Sequence, residues 1–337
     1  MPRARISYGI LTSQDQGGGD KKQGLPPCVG KSHFIFNLIK RKAWPTEKDD
    51  DDANEPINFE NTTYGGIARG FNSTGSQICG YYQNSFGMPF PIVWNAVTGA
   101  QISINFQNTT NGGIAYDFNS FNSRICGSYR NSSNILLPIV WDAVTGAQIS
   151  INFQNITYGG QALSFSSDNT NPQICGFYRN ISRIPFPIVW DAVTGAQISI
   201  SFQNIPTGGA ALNFNSDNSR ICGYYLSGVL PVPIVWNAVT GVKQSISFQN
   251  TSYGGTAYGF NSDNSRICGY YNNSSDIPIP IIWSATGVNQ NINFQNITYG
   301  GGAISFSSDN SRICGYYNNI SGIPFPIIWD AVTGKQL

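Results

Sequence analysis

An all-β fold assembled from six repeated units is the fold class that this 337-residue sequence predicts. The first observation is a repeat of 46 to 49 residues, with one Trp and one Cys at matching points of each copy. The second is that each copy holds four short segments rich in Ile, Val, Phe, Tyr or Trp, bounded by turn-forming residues. The third is that no segment of the repeats has helical periodicity. The marker residues are Trp94, Trp141, Trp190, Trp236, Trp283 and Trp329, with Cys79, Cys126, Cys175, Cys222, Cys268 and Cys314.

The copy that begins at Gly112 illustrates the strands of one repeat. In the last strand Ile149, Ile151 and Phe153 alternate with polar residues, so one side is predicted to pack and the other to face water. The four predicted strands are 113–119, 124–129, 138–142 and 147–154.

Four antiparallel strands in a repeat of this length are the unit of a β-propeller, whose blades stand around an axis. Six Trp-bearing copies therefore predict a six-bladed β-propeller of four-stranded blades. The first strand of each copy opens with small residues, as at Gly65, Gly66 and Ala68. Residues without bulk suit strands that crowd together, so we expect these strands at the narrow centre of the ring.

The two ends of the repeat region predict how the ring closes. The last copy stops at Leu337 before its fourth strand, whereas residues 56–61 match the missing strand and precede the first full copy. We therefore expect the N-terminal strand 56–61 to complete the last blade and close the ring, an arrangement that presents few sheet edges. A linear solenoid would instead carry distinct capping repeats. The predicted domains are an N-terminal segment, 1–55, and a propeller, 56–337.

The repeated Trp and Cys residues are predicted to form the core between blades, because a single blade cannot bury enough surface to fold alone. Equivalent strand positions in neighbouring blades lie too far apart for disulfides, so the six repeat cysteines are predicted to be buried free thiols. Free thiols favour a reducing compartment.

Charge and hydropathy exclude two classes of partner. Lys and Arg number 19 and Asp and Glu 18, so no global charge favours nucleic acid. No stretch of about 20 apolar residues predicts a membrane span, and the short apolar piece from Ile6 to Leu11 does not indicate a signal peptide. Residues 1–55, with a Gly-rich tract and an acidic run, are predicted to be mostly disordered or to tether the propeller to a larger assembly. Within them, 34–44 is a candidate docking helix.

The order of motifs in each copy resembles that of the bacterial HAF repeat family. Each copy runs from Ala-x-x-Phe-Asn through a turn to a strand such as Ile78-Cys79-Gly80-Tyr81, and then to Pro-Ile-Val-Trp. The resemblance spans residues 62–337, although the His-Ala-Phe triplet that names the family is absent, with Phe90-Pro91-Ile92 in its place. It implies a propeller-like, extracellular repeat protein and no particular chemistry. The free thiols favour a reducing compartment and the resemblance an extracellular one, so both alternatives are kept.

No constellation of residues in the repeats predicts catalysis. The only histidine, His33, lies outside them, which excludes a Ser-His-Asp or Cys-His site within the propeller. Most acidic residues lie in turns, such as Asp142 and Asp309, where local hydrogen bonding explains them. No zinc, calcium or phosphate-loop motif is present, so we expect no metal, no cofactor and no enzymatic activity.

Binding residues are predicted on the face where the turns before each first strand meet the loops between the second and third strands. Exposed Tyr beside Asn and Arg suits recognition of a protein surface or a glycan, although these Tyr residues would also suit packing over blade junctions. The leading hypothesis is a non-enzymatic interaction or structural scaffold. The alternatives are a multivalent carbohydrate-binding lectin and a surface or virion component. The candidate residues are Tyr64, Tyr158, Tyr253, Tyr299, Arg130, Arg179 and Arg183.

Overall fold

The computed structural model describes residues 55–337, which form six sheets of three or four antiparallel strands and contain no helix. The all-β prediction is confirmed for this range. The predictions for residues 1–54, including the tethering segment and the helix at 34–44, lie outside the described residues.

The first three sheets comprise β1 (Gly66–Phe71), β2 (Gln77–Gln83), β3 (Pro89–Asn95) and β4 (Gln101–Ile102); β5 (Gly113–Phe118), β6 (Arg124–Arg130), β7 (Leu136–Asp142) and β8 (Gln148–Ile149); and β9 (Gly160–Phe165), β10 (Gln173–Arg179), β11 (Pro185–Asp191) and β12 (Gln197–Ile198). The fourth to sixth comprise β13 (Gly209–Phe214), β14 (Arg220–Ser227) and β15 (Leu230–Asn237); β16 (Gly255–Phe260), β17 (Arg266–Asn272) and β18 (Pro278–Ser284); and β19 (Gly301–Phe306), β20 (Arg312–Asn318) and β21 (Pro324–Asp330).

Each sheet is a meander in which consecutive strands pair, and the register is the same in all six. The Ile before each Cys lies opposite the Trp of the third strand, as Ile78 lies opposite Trp94. A bulge interrupts every pairing of first and second strands, as between Ala68 and Gly70 in the first sheet. The predicted bounds of the first three strands agree with the observed ones to within two residues.

The predicted fourth strand, 147–154, was too long. Only Gln148–Ile149 pairs within the second sheet, and in the last three sheets the fourth strand is reduced to an isolated bridge at the Trp. The chain then crosses to the next sheet, where the ring of Phe153 meets the indole of Trp190 edge-on with centroids 5.2 Å apart. The Trp190 indole Nε1 donates to the carbonyl oxygen of Gln154 at 3.0 Å. Because a buried indole N–H needs an acceptor, this contact draws the segment away from its own sheet.

The prediction that segment 56–61 forms a strand of the last sheet was wrong, because that sheet consists of β19, β20 and β21 alone. Gln336 itself forms the bridge to Trp329, and the backbone N–H of Ile57 donates to the carbonyl oxygen of Leu337 at 2.9 Å. From there the segment lies against the first sheet, with Phe59 edge-on to Trp94 at 5.2 Å. It therefore takes the place of the crossing segment that precedes every other sheet.

The hydrophobic core lies between sheets, as predicted. All six repeat tryptophans are fully buried, and the core cluster around each Trp draws side chains from two neighbouring sheets. The cluster around Trp94, for example, includes Cys314 and Ile328 of the sixth sheet. The six repeat cysteines are buried free thiols, and burial raises the pKa of the Cys79 thiol well above its usual range.

Arginines at the start of second strands connect neighbouring sheets. Arg266 of the fifth sheet donates to the carbonyl oxygens of Ala331 and Asn310 in the sixth. Arg312 of the sixth sheet donates in the same way to the carbonyl oxygens of Ala96 and Gly75 in the first. The sixth and first sheets thus share the contacts that join sheets adjacent in sequence.

Candidate functional site

One face of the molecule carries the turns before the first strands and the loops between second and third strands; we call it the rim. The turn at 61–65 is formed by Asn61 and Gly65, whose φ angles of 63° and 103° lie in the left-handed region that Asn and Gly tolerate. The carbonyl oxygen of Gly65 accepts from the backbone N–H of Gln83, which ties the turn to the adjoining loop. The predicted grouping of these two kinds of loop on one face is therefore observed.

The four predicted tyrosines are exposed to between 45% and 54% of their surface. They belong to the turns that precede the first, third, fifth and sixth sheets, and Asn111 and Thr207 stand at the corresponding points before the second and fourth. About half of each ring is thus covered by neighbouring residues, and about half is available for contact.

The three predicted arginines lie at the loops between second and third strands: Arg130 ends β6, Arg179 ends β10, and Arg183 lies in the loop that follows β10. Arg130 Nη1 donates to Asn134 Oδ1 at 3.2 Å, and Arg179 Nη1 donates to the carbonyl oxygen of Arg183 at 3.4 Å. Arg183 is exposed and has a φ of 61° at the tip of its loop. Arg130 and Arg179 therefore stabilise the loops that follow them and are half-buried, and among the three only Arg183 is exposed.

A cavity that sequence reasoning missed lies at the centre of the six sheets. It is lined by residues from all six first strands, above all the fourth residue of each. The cavity widens into a volume of about 350 Å³ that reaches Leu226 and Pro231, next to a rim loop. We call the two parts together the central channel. The fourth residues are Arg69, Tyr116, Leu163, Leu212, Tyr258 and Ile304.

The wall of the channel is largely aromatic and neutral. Tyr224, Tyr270 and Phe177 from second strands add to Tyr116 and Tyr258. Burial raises the pKa of Tyr224 to about 12 and that of Tyr258 well above its usual range. At neutral pH these phenols therefore keep their protons and offer hydroxyl groups rather than negative charge.

Arg69 brings a positive charge into this wall. The centre of its guanidinium lies 5.3 Å from the ring centroid of Tyr116 and 5.9 Å from that of Tyr81, both cation–π distances. Its Nε is buried and has no hydrogen-bond partner among residues 55–337. A buried donor without a partner is costly, so the position of this side chain calls for an explanation.

Asp117 also lines the channel, and it is an acidic residue within a strand rather than a turn. Ser164 Oγ of the neighbouring sheet donates to Asp117 Oδ2 at 2.7 Å. Burial raises the pKa of the carboxyl to about 7, against the lowering effect of this hydrogen bond. The channel thus contains a group that titrates close to neutral pH.

The acidic residues that were predicted to form hydrogen bonds within turns, Asp142 and Asp309, do form them. Backbone and side-chain hydrogen bonds from Thr145 lower the pKa of Asp142, and the hydroxyl of Ser307, together with Ser311, lowers that of Asp309 to about 2. Residues 55–337 bring together no group of three or more His, Cys, Asp or Glu side chains fit to hold a metal ion. In the same range there is no helix of the length and apolarity needed to cross a membrane.

Comparison with known proteins identifies the fold. The structure is similar to TolB from Acinetobacter baumannii, with a TM-score of 0.61 and 12% identity over 79% of this chain; the match spans 63% of that protein. It is similar to a putative TolB from Agrobacterium tumefaciens, with a TM-score of 0.58 and 9% identity over 78% of this chain and 89% of the other. The fold is a TolB-like β-propeller.

A mutant of AofleA from Arthrobotrys oligospora is also similar, with a TM-score of 0.52 and 12% identity over 83% of this chain and 90% of the other. At these identities the likeness shows the fold alone. No family model and no curated protein matches the sequence. The relation to HAF repeats therefore stays a prediction.

Proposed function

We propose that residues 55–337 form a closed six-bladed propeller that acts as a non-enzymatic interaction scaffold, with the rim as its contact face. Closure is supported by the channel, which residues from all six first strands line. It is also supported by the hydrogen bond from Ile57 to Leu337 and by the bonds from Arg312 to the first sheet.

The exposed side chains of the rim are the observation that carries this function. Besides the four tyrosines, rim loops expose large apolar side chains at their tips, including Phe86 at 84% and Val229 at 90%. Aromatic residues are enriched in the buried centres of protein interfaces, whereas an isolated soluble domain gains nothing from exposing them. The opposite face exposes one aromatic side chain among residues 55–337, Phe121 at 67%, and otherwise valines such as Val97 in the hairpin turns, whereas the rim exposes Phe86 and the four tyrosines.

The test compares matched variants of the two faces. Mass spectrometry of native material would identify the protein that co-purifies with the full chain, and titration would measure its affinity. Replacing Tyr64, Tyr158, Tyr253 and Tyr299 by Ser should weaken that affinity at least about tenfold. The control replaces four exposed residues of the opposite face by Ser and should change the affinity less than about twofold. The reverse order of effects would refute the rim as contact face. The control residues are Val97, Val144, Val193 and Val332.

The lectin alternative is favoured by the same four tyrosines, because repeated equivalent positions would give avidity toward a branched glycan. A glycan array probed with the full chain separates the two functions. Binding that the four Tyr→Ser changes abolish would establish the lectin and displace the scaffold. An array without binding, together with a co-purifying protein, would support the scaffold.

A further inference from the structure

The charge of Arg69 is not required by the fold. The same position of the other five first strands is occupied by neutral residues, among them Leu163 and Leu212. The six sheets otherwise share register, bulge and core. A propeller of this kind therefore folds around Leu as readily as around Arg, and the cation needs another reason.

Arg69 also has no counter-ion among the described residues. It forms no ion pair within 55–337, and its Nε is buried without a partner. Asp117 lines the same cavity, but its carboxylate is held by Ser164 of the next sheet. The guanidinium lies instead against the rings of Tyr116 and Tyr81, which attract a cation weakly and leave Nε without an acceptor.

The space beside Arg69 has the size and chemistry of a small-molecule site. A volume of about 350 Å³ accommodates a single ring with a short side chain. Leu163, Leu212 and Phe177 provide apolar surface, and the hydroxyls of Tyr270 and Thr256 provide polar contacts. The opening beside Leu226 and Pro231 gives a path from the rim.

We propose that the central channel binds a small carboxylate with an aromatic or cyclic apolar body, whose carboxylate pairs with the guanidinium of Arg69. A carboxylate matches the planar fork of an arginine and would give the unpartnered Nε an acceptor. The single positive charge of Arg69 balances the single negative charge of a carboxylate. A phosphate dianion would require a second basic side chain, and the residues that line the channel include none besides Arg69. This site is independent of the rim, and it goes beyond the scaffold function.

Calorimetric titration of the full chain with 3-phenylpropionate tests the proposal, with 3-phenylpropionamide as the neutral analogue of the same shape. We expect the carboxylate to bind at least about tenfold more tightly than the amide, because only the carboxylate forms the charge-assisted pair. Equal affinities, or no detectable binding of the carboxylate at millimolar concentration, would overturn the proposal. So would a preference for inorganic phosphate over 3-phenylpropionate. This comparison needs no variant and does not depend on one that folds.

The variant Arg69→Leu locates the site, because Leu is the natural occupant of two equivalent positions. It should lose at least about tenfold in affinity for 3-phenylpropionate and keep its affinity for the amide. Arg183→Leu removes an exposed arginine from the rim and should leave both affinities unchanged. Carboxylate binding that survives Arg69→Leu, or that Arg183→Leu abolishes, would place the ligand elsewhere and refute the assignment.

Discussion

Two contacts between neighbouring sheets differ in how the chain connects them. We call such a contact a seam. The fifth and sixth sheets are joined by continuous chain, whereas the sixth and first meet through the two ends of residues 55–337. Their contacts are nonetheless alike: Phe294 lies 5.1 Å from Trp329, and Phe59 lies 5.2 Å from Trp94. The indole N–H of each Trp donates to a backbone carbonyl oxygen, at 3.0 and 2.9 Å.

This comparison shows that side-chain packing and a few hydrogen bonds define a seam, and that chain continuity is not needed for its geometry. What continuity changes is the entropy of bringing the segments together. A crossing segment inside the chain is tethered at both ends, whereas 57–61 must be held to Leu337 by contacts alone. The terminal seam is therefore the one at which opening is expected first.

The largest expected effect comes from removing the phenyl rings that cover the tryptophans. Phe59→Ala and Phe294→Ala each delete a buried ring and should each lower the free energy of unfolding by about 3–5 kcal/mol. Chemical denaturation measures both losses. Phe59→Ala should in addition expose residues 55–61 to proteolysis in the native state. A much smaller loss for Phe59→Ala than for Phe294→Ala would mean that the terminal seam is already open in solution.

A second prediction concerns a seam with a titrating group. Asp117 contacts Ser164 across the seam of the second and third sheets, whereas the terminal seam has Ser305 and Gly70 at these positions. Burial raises the folded-state pKa of Asp117 to about 7, above its unfolded value, so the folded state holds the proton more tightly. Stability is therefore lost as the pH rises from about 4 through about 7.

Asp117→Asn removes this dependence and should stabilise the protein by about 2–4 kcal/mol at about pH 8. The melting temperatures of the two proteins should converge as the pH falls to about 4. Ser305→Ala, a change at the corresponding position of the sixth sheet, serves as the control and should shift the melting temperature equally at both pH values. A constant difference between Asp117→Asn and the parent protein at all pH values would contradict the assignment.

A smaller effect is expected from the arginines that bridge two seams. Arg312→Gln removes hydrogen bonds from the terminal seam, and Arg266→Gln removes the corresponding bonds from the continuous one. Each should cost about 1–2 kcal/mol, because hydrogen bonds from a charged donor and a cation–π contact are lost. Gln77 and Gln173 stand at the same position in two other sheets, so both variants should fold. Thermal unfolding measures both losses. Clearly different losses of stability in Arg312→Gln and Arg266→Gln would show that the two seams are not equivalent.

The smallest expected effect is at Glu60. Its carboxylate accepts from the backbone N–H of Gln101 at 2.8 Å, where the other five sheets use a Gln side chain, as Gln107 accepts from Gln148 at 3.0 Å. Glu60→Gln keeps the acceptor and should change the free energy of unfolding by less than about 0.5 kcal/mol. A loss well above about 1 kcal/mol in denaturation would reveal that the terminal seam depends on charge.

Much of the fold was predictable because its signals repeat. The buried Trp and Cys, the turn residues and the first three strands recur in every copy, so periodicity alone located them. The fourth strand was mislocated because alternation of Ile149, Ile151 and Phe153 continues after the chain has left its sheet. Alternation reports which side of a segment packs, not which sheet it packs against.

The central channel was missed for the opposite reason. Arg69 and Asp117 each occur in one copy only, so a search for shared motifs passes over them. A signal did exist: the fourth residue of the first strand varies among Arg, Tyr, Leu and Ile in otherwise similar copies. Because this position varies while the Ala before it is the same in all six copies, it indicates a surface whose side chains the fold itself does not dictate. The rim was predictable from topology, but the covered half of each Tyr depends on packing that the sequence does not specify.

The crossing segments bear on how the protein is made. A ribosome extends the chain from its N-terminus, so the crossing segment that covers each indole is synthesised before the sheet that carries that indole. Every blade after the first therefore meets a cover and a neighbouring blade that have already been synthesised, and folding is expected to proceed one blade at a time. The contact between the first and sixth sheets has to wait until residue 337 has been made, because the acceptor for Ile57 is the carbonyl oxygen of Leu337. A nascent chain arrested before that point would expose one flank of its first blade.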